Sequence, residues 1–170
     1  MTTELVRGFE PAPRDDALFI LSKAFPVHWQ YPDARDYYAR MLADPANINI
    51  FLNSGGKRVG DVLAVPHDQA VTELLDDDPK LQNDPAKYYI ETIGILPESR
   101  QKGGLRIMLA RLVLECQSRS AAKLSMHARS GFSAIVQKNF RILVLRPVAK
   151  WRYTNFEESV DYIEIALNDQ

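Results

Sequence analysis

The stretch from Tyr88 to Cys116, YYIETIGILPESRQKGGLRIMLARLVLEC, constrains the fold most because its hydrophobic period changes within a few residues. Residues 88–96 are a run of apolar, aromatic and β-branched side chains, which is typical of a buried strand. After Gly104, apolar side chains recur every three or four residues, which is typical of a helix packed on one face. They are Leu105, Met108, Leu109, Leu112, Val113 and Cys116. A strand followed by a turn and a helix predicts a β-α-β unit and therefore a layered α/β structure.

The rest of the chain predicts further strands and helices around this unit. Strands are predicted at Leu5–Phe9, Ile48–Leu52, Val59–Val65, Lys123–Ala128, Ile142–Leu145 and Tyr162–Leu167, and helices after Pro13, after Pro32, at Gln69–Leu75 and at Gly131–Phe140. The motif NSGGK, residues 53–57, indicates a hairpin between two of the strands. We expect one domain over residues 1–170, of class α/β (α+β), with a mixed sheet, helices on both faces and an acidic insertion at residues 66–87.

Composition excludes several kinds of partner. The chain has 21 basic and 22 acidic residues, so no overall charge favours nucleic acid or an anionic membrane. No apolar run reaches the roughly 20 residues that span a bilayer, and the N-terminus has no apolar signal core. The single cysteine, Cys116, excludes an intrachain disulfide and suits a reducing compartment, so we expect a cytoplasmic protein. His28, His67 and His127 lack metal-ligand spacing, and we expect no metal.

The turn between the strand and the helix has the composition of an anion site. Arg100 and Lys102 precede Gly103 and Gly104, which open the helix. A helix N-terminus presents unpaired N–H groups and a partial positive charge, and glycine lets a ligand approach the backbone. The turn therefore predicts a site for a phosphate or pyrophosphate, although a purely structural basic turn explains the same residues. Neither the P-loop pattern nor G-x-G-x-x-G is present.

A known family has a similar segment. IGILPESRQKGGLRIMLARLVLE resembles the acetyl-CoA motif of the GNAT (GCN5-related N-acetyltransferase) superfamily, in which a strand leads through Val-x-Pro-Glu and Arg/Gln-x-x-Gly-x-Gly/Ala into an apolar helix. Ile95 stands in place of the valine, and Pro97, Glu98, Arg100 and Gly103 match the motif. The predicted order of strands and helices is also that of a GNAT fold with a mostly antiparallel central sheet.

The resemblance implies an acetyl-CoA-dependent N-acetyltransferase that acts on an amine of a small molecule or peptide. Acetyl-CoA would be the cosubstrate, with its pantetheine arm beside the motif strand and its pyrophosphate on the backbone N–H groups of the turn. The implied binding residues are Ile93, Ile95, Arg100, Gln101, Lys102, Gly103, Gly104 and Leu105. A homodimer would also fit this architecture.

Glu91 is the predicted general base. It shares alternate strand positions with Ile93 and Ile95 in a run of apolar and aromatic residues, where burial would raise the pKa of its carboxyl toward a useful value. The alternative is a solvent-facing glutamate, or one paired with an arginine.

The chain departs from the family pattern at two positions. Leu105 replaces the second glycine of the turn and could crowd the pyrophosphate, although Gly104 could supply compensating backbone freedom. Val136 stands near the tyrosine that usually protonates the leaving thiolate. Valine cannot donate a proton. The acid could instead be Ser130, His127, Tyr88 or Tyr89, or the thiolate could leave unaided. These departures favour an alternative function, a module that binds CoA, acyl-CoA or a partner protein without turnover; transfer of longer acyl chains is a third interpretation.

The acceptor site is less specified. The acidic stretch Asp68–Asp84 could attract a cationic amine, although a solvated loop is the preferred interpretation. Trp29, Tyr31, Tyr37 and Tyr38 could flank the acceptor, or pack in the core. The basic, aromatic segment Arg146–Tyr153 could contact RNA or a nucleotide phosphate, but a charged edge strand is the preferred interpretation.

Overall fold

The structure is a computed structural model that describes residues 1–27, 30, 32–153 and 156–167, with the backbone alone described at 149–153 and 156–158. The predictions made for His28, Trp29 and Tyr31 lie outside the described residues.

Seven strands and five α-helices make up this part of the chain. The strands are β1 Thr2–Val6, β2 Ile48–Ser54, β3 Lys57–Pro66, β4 Lys87–Ile95, β5 Lys123–Ala128, β6 Ile142–Tyr153 and β7 Phe156–Ala166. The helices are α1 Pro11–Ala24, α2 Ala34–Ala43, α3 His67–Leu74, α4 Gly104–Ser118 and α5 Ser130–Asn139. A single 3-10 turn, Pro97–Ser99, separates β4 from α4.

The strands form one sheet in the order β1-β2-β3-β4-β5-β7-β6. The pairs β1/β2, β2/β3, β5/β7 and β6/β7 are antiparallel, and β4/β5 is parallel. Consecutive strands joined by tight turns can pair antiparallel, whereas β4 and β5 are parallel because the long helix α4 connects them. The predicted mixed, mostly antiparallel sheet is confirmed.

The described chain divides into two compact units. Unit 1 comprises Met1–Ala64 and Thr92–Glu115, and unit 2 comprises Val65–Glu91 and Cys116–Gln170. Strand β4 contributes residues to both units, as does helix α4. The expectation of a single domain over residues 1–170 stays a prediction.

In unit 1, helices cover both faces of the sheet. A Cβ added to Gly94 would lie 3.1 Å from Cβ of Ala24 at the end of α1, whereas one added to Gly104 at the start of α4 would lie 3.5 Å from Cδ1 of Ile95. Gly94 and Ile95 are neighbours on β4, and neighbouring residues of a strand face opposite sides. Helices α1 and α4 therefore pack on opposite faces.

Unit 2 follows the same rule on β7. Ser133 of α5 donates its hydroxyl hydrogen to Asp161 at 2.6 Å, while the His67 ring of α3 lies 3.3 Å from the hydroxyl of the next residue, Tyr162. Helix α5 and the insertion that begins with α3 thus cover opposite faces. The insertion is more than the solvated loop we preferred, because Asp78 and His67 are buried in this unit.

Three predicted strands are wrong in their bounds. The first strand is β1 at Thr2–Val6 rather than Leu5–Phe9, since Val6 pairs with Asn49, one residue from the start of β2, where the ladder ends. The last two strands are longer than predicted, since their ladder continues to the pair of Tyr153 with Phe156. Charged residues interrupt the apolar alternation in both strands, which concealed their length. In α4, the predicted stripe from Met108 to Cys116 is buried.

Candidate functional site

The turn between β4 and α4 is held by hydrogen bonds of its own backbone and side chains. The Leu96 N–H donates to the Val59 carbonyl at 2.8 Å and the Ser99 N–H to the Leu96 carbonyl at 2.8 Å, which fixes the chain as it leaves the strand. Residues 100–103 then form a loop whose last residue precedes α4. Two of these residues, Gln101 and Gly103, have left-handed backbone conformations, with φ of 61° and 79°. A non-glycine residue in that region is strained, and such strain is found at ligand-binding turns.

The two glycines serve different purposes. Gly103 needs its left-handed φ, and nothing lies within 4 Å of a Cβ added there, so the space beside its backbone is open. Gly104 is buried, and an added Cβ would lie 2.5 Å from Cδ2 of Leu52, so a side chain at Gly104 would collide with the sheet. Gly104 therefore supplies close packing of α4 rather than the backbone freedom that could compensate for Leu105. Leu105 itself is half-buried.

The basic side chains brace the turn. Arg100 donates from Nε to the Ile95 carbonyl at 3.0 Å and from a terminal nitrogen to the Ala24 carbonyl at 3.2 Å. Lys102 donates from Nζ to the Glu98 carbonyl at 2.9 Å. Both side chains are exposed, so their charges stay close to the N-terminus of α4, whose first turn contains no acidic residue. Helix dipole and side chains together make this end of α4 positive.

A cavity of about 1060 Å³ borders the turn in unit 1. It lies beside the β2–β3 hairpin and reaches the turn at Leu96, Glu98 and Ser99, but residues 101–105 do not line it. Among the residues that line it, Arg58 is half-buried, and its guanidinium is bound by Glu4 at 2.6 Å and by Asp16 at 2.9 Å. This cavity is therefore distinct from the predicted pyrophosphate turn, and its guanidinium is already paired with two carboxylates.

Glu91, the predicted base, lies on β4 at the end of the stretch that belongs to unit 2. It is half-buried, as are Ile93 and Ile95, which follow it at alternate positions. The prediction that Glu91 is the general base, with a pKa raised by burial, stays a prediction. Burial raises the pKa of Tyr89, and the negative charge of Glu91 raises it further.

Strands β4 and β5 part near this glutamate. Within the described strands, the parallel ladder pairs Lys87 with Lys123, Tyr88 with Leu124 and Tyr89 with Ser125, and extends no further. Strand β5 continues to Ala128. Beyond the last pair, backbone N–H and C=O groups that a ladder would satisfy are left for other partners.

Sequence reasoning missed a polar chain of side chains at the point where the strands part. His127 lies with Nδ1 at 2.9 Å from the Tyr89 hydroxyl and with Nε2 at 2.9 Å from a carboxylate oxygen of Asp78. Arg146 of β6 contacts the same oxygen of Asp78 at 2.5 Å. Burial alone would raise the pKa of Asp78, but the hydrogen bonds from His127 and Arg146 outweigh it and hold that pKa below its ordinary value.

A second group of buried polar residues adjoins this chain. Tyr162 donates to Glu164 at 2.6 Å, and the same carboxylate accepts from Lys87 at 2.5 Å. The centre of the Tyr162 ring lies 5.1 Å from the centre of the His127 ring and 4.4 Å from the Arg146 guanidinium. A signal for this network was present in the sequence. Polar residues Lys123, Ser125 and His127 alternate with apolar ones along β5, which marks one polar face of a buried strand.

The residue near the family's tyrosine position cannot supply a proton. Val136 is fully buried in α5. Of the other candidates named for the acid, Ser130 is exposed at the start of α5, and the Tyr88 hydroxyl accepts a hydrogen bond from Arg119 at 3.3 Å. Tyr89 and His127 are the candidates that the structure brings together.

Two absences concern the described residues. None of their groups of histidine, cysteine, aspartate or glutamate is arranged to hold a metal ion. None of the helices described combines the length and apolar character needed to cross a lipid bilayer.

Comparisons with known proteins identify the fold. No protein-family model matches the sequence, and no curated protein matches it significantly. Among solved structures, an aminoglycoside 6'-N-acetyltransferase complexed with coenzyme A is similar with a TM-score of 0.71 and 12% identity, over 100% of this chain and 99% of that one. The ribosomal-protein-S18-alanine N-acetyltransferase from Escherichia coli is similar with a TM-score of 0.67 and 15% identity, over 99% and 96%.

A third similar structure, the aminoglycoside 6'-N-acetyltransferase from Enterococcus faecium, has a TM-score of 0.66 and 13% identity, over 100% and 99% of the two chains. The likeness spans the whole chain in each case while the sequences have diverged. The chain therefore has a GNAT fold, as the sequence resemblance predicted, and in sequence it is a divergent example of that fold.

Proposed function

We propose that this protein is an N-acetyltransferase that transfers an acetyl group from acetyl-CoA to an amine of a small molecule or peptide. The observation that supports this most is the turn before α4, where an open left-handed glycine and two basic side chains lie at a helix N-terminus in a GNAT fold. Such a turn suits a pyrophosphate, which requires several N–H donors and positive charge.

The turn has room for the proposed cosubstrate. Gln101, Lys102 and Gly103 are exposed, and the space beside Gly103 is open. In the proposal, backbone N–H groups from Gln101 to Leu105 bind the pyrophosphate, and Arg100 and Lys102 add charge while they hold the loop in shape. Ile93 and Ile95 provide the strand edge for the pantetheine arm. Acetyl-CoA would supply a thioester carbonyl that an amine can attack.

Glu91 remains our proposed general base. An ammonium group must lose a proton before it can attack a thioester, and a half-buried carboxylate on the strand next to the cosubstrate is suited to accept it. We propose an acceptor amine of unspecified parent structure. The similar structures include enzymes named for aminoglycosides and for an alanine of ribosomal protein S18, and an amine acceptor is consistent with both names. A reducing, cytoplasmic setting is part of the proposal, supported by the one buried free cysteine.

The first test is calorimetric titration of acetyl-CoA and CoA into wild type, Gly103→Glu and Gly103→Lys. Both variants place a side chain at a left-handed position and share its backbone strain, but their charges are opposite. We expect Gly103→Glu to abolish binding and Gly103→Lys to retain a measurable part of it. Equal loss in both would assign the glycine to loop geometry alone, and absence of binding to wild type would contradict the proposal.

The second test is thiol release from acetyl-CoA in the presence of kanamycin, spermidine or an alanine-initiated peptide. We expect at least one amine to stimulate release, and Glu91→Gln to reduce kcat by about a hundredfold while acetyl-CoA still binds.

One observation favours a second function, a module that binds CoA, acyl-CoA or a partner protein without turnover. Val136 is fully buried where the resemblance places a proton-donating tyrosine. Binding of acetyl-CoA to wild type with no thiol release for any amine would support this alternative.

A further inference from the structure

Asp78, His127 and Tyr89 form a linear hydrogen-bonded chain from three separate parts of unit 2. Asp78 comes from the insertion after α3, His127 from β5 and Tyr89 from β4. The side chains of Asp78 and His127 are 2% and 1% exposed, and Tyr89 is 4% exposed. Such an arrangement, in which a carboxylate orients an imidazole that in turn contacts a hydroxyl, is the geometry that couples a hydroxyl to a base.

The partners fix where the protons lie. Asp78 also binds the Arg146 guanidinium, which requires the ionised carboxylate, and a carboxylate only accepts hydrogen bonds. Nε2 of His127 must therefore carry the proton that Asp78 accepts. Nδ1 is then an acceptor, so the Tyr89 hydroxyl donates to it. The Tyr89 oxygen also accepts a hydrogen bond from the main chain of His127, and its remaining lone pair can accept a hydrogen from another molecule.

The hydrogen-bonded chain of Asp78, His127 and Tyr89 ends where β4 and β5 separate. Tyr89 belongs to the last pair of the parallel ladder, and His127 lies two residues beyond Ser125, its β5 member. His127 as a whole is half-buried although its side chain is 1% exposed, so its exposure comes from the main chain. The point where the strands separate is therefore partly exposed through the main chain of His127.

We propose that Tyr89 is a catalytic residue which, with His127 and Asp78 as positioning residues behind it, moves a proton from the attacking nitrogen to the departing sulfur. This inference rests on the proposed acetyl transfer. After the C–N bond forms, the nitrogen gives a proton to the Tyr89 oxygen while the hydroxyl proton moves to Nδ1 of His127. The imidazolium is stabilised by Asp78. As the C–S bond breaks, the proton returns through the Tyr89 oxygen to the thiolate, so the residues end as they began.

The surroundings of His127 keep its ring neutral before the reaction, so that the ring can accept a proton. Burial lowers the pKa of its ring, and the bond to Asp78 only partly offsets this, so the resting ring is neutral. The charged and titratable groups that face it are Tyr89, Asp77, Asp78, Arg146 and Tyr162. Because Val136 has no proton to give, Tyr89 with His127 and Asp78 fills the role that the resemblance assigns to a tyrosine near position 136.

A purely structural role makes a different prediction. If the chain only anchors the insertion, removing the Tyr89 hydroxyl lowers stability but leaves the turnover of folded protein unchanged. If it carries a proton, kcat falls while acetyl-CoA binding persists. Tyr89→Phe separates the two, and Tyr162→Phe is the matched control, because it removes another buried hydroxyl from the adjoining group without touching a nitrogen of His127.

The experiment measures kcat and KM for acetyl-CoA by thiol release with the most active amine, alongside calorimetric binding. We expect kcat of Tyr89→Phe and of His127→Gln to fall about a hundredfold with KM changed less than about threefold, and Tyr162→Phe to stay within about threefold of wild type. A folded Tyr89→Phe variant with wild-type kcat would overturn this inference but not the proposed acetyl transfer. A wild type that releases no thiol overturns the proposed function, and the inference with it.

Nitrogen NMR of wild type provides a readout that does not depend on the variants folding. We expect His127 to be neutral, with hydrogen on Nε2 and an acceptor signal at Nδ1. Hydrogen on Nδ1 would overturn the inference, because Tyr89 could then not pass a proton to the ring.

Discussion

Asp61 shows how much a single buried side chain can influence this protein. It lies on β3 with 1% of its surface exposed, and one of its carboxylate oxygens has no hydrogen-bond partner in the structure. Burial raises the pKa of Asp61 to about 7, and the hydrogen bond with Tyr38 opposes that rise only in part. An ionised carboxylate is therefore costly at this position, and near neutral pH the protein carries part of that cost.

The pH dependence of stability follows from the direction of this shift. The carboxyl releases its proton near its ordinary pKa when unfolded but only near 7 when folded, so its contribution is full at acid pH and is lost as pH rises from about 4 to about 7. We predict that Asp61→Asn, which is always neutral, raises the melting temperature at about pH 8 by several degrees, since each pKa unit corresponds to about 1.4 kcal/mol. Thermal melts should show the gain shrinking toward about pH 4; an equal gain at both pH values would contradict this account.

At the residue scale, the sequence predicted the local features of the candidate site but not the contacts between residues far apart in the chain. Gly103, Arg100 and Lys102 were predicted because a turn and a helix start are local features that neighbouring residues encode. The contact of His127 with Asp78 was not, since 49 residues separate them and periodicity carries no information about distant partners. Gly104 was interpreted as a source of backbone freedom, whereas its packing against Leu52 depends on a strand far away in sequence.

At the scale of elements, the insertion between β3 and β4 is the part in which the structure differs most from the interpretation of the sequence. Its composition is that of a solvated acidic loop, and several of its residues, such as Asp68 and Asp76, are indeed exposed. Two of its acids are nevertheless anchored, Asp78 by Arg146 and His127 and Asp84 by Lys123 at 3.0 Å. Net charge along the chain does not reveal which acids find partners.

We predict that Asp78→Asn loosens the insertion. The loss of the carboxylate leaves the half-buried guanidinium of Arg146 without its anion. Breaking a fully buried ion pair typically costs about 3–5 kcal/mol, and we expect a smaller cost here because Arg146 is partly exposed. Limited trypsin digestion at neutral pH should then cleave faster after Lys80, which is exposed within the insertion. Asp76→Asn, an exposed neighbour, is the control and should digest as wild type does.

Acid should have the same effect on wild type. The pKa of Asp78 is depressed in the folded protein, so its stabilising contribution is present above the ordinary carboxyl pKa of about 4 and is lost as pH falls below it. The difference in melting temperature between wild type and Asp78→Asn should therefore narrow as pH is lowered from about 7 to about 3. A constant difference would show that Asp78 acts through shape rather than charge.

At the scale of the whole molecule, the class of fold was predictable because the order of strands and helices and the hairpin are all encoded locally. Sheet order, the lengths of β6 and β7 and the division into two units depend on pairings between distant segments, and these were not predicted. Strand β6 illustrates the difference. Its apolar residues Leu143 and Leu145 are exposed at the end of the sheet order, where a strand predicted from hydrophobicity alone would be expected in the core.

A ligand that binds only the folded chain raises its melting temperature by mass action. We predict that acetyl-CoA at about a hundred times its dissociation constant stabilises the protein by about 2.7 kcal/mol, or several degrees. A series from acetyl-CoA to longer acyl-CoA molecules, measured by thermal shift at equal concentration, identifies the acyl group. Larger shifts for longer acyl chains would favour the third interpretation, transfer of longer acyl chains, over acetyl transfer.

The burial of Cys116 has a practical consequence for the thiol-release assays. It is the only thiol of the chain, it lies inside α4, and none of its surface is exposed. A chromogenic disulfide reagent added to the native protein should therefore detect almost exclusively the free coenzyme released on turnover, with little background from the protein. The same reagent, added during a melt, would report the moment at which the core around α4 opens.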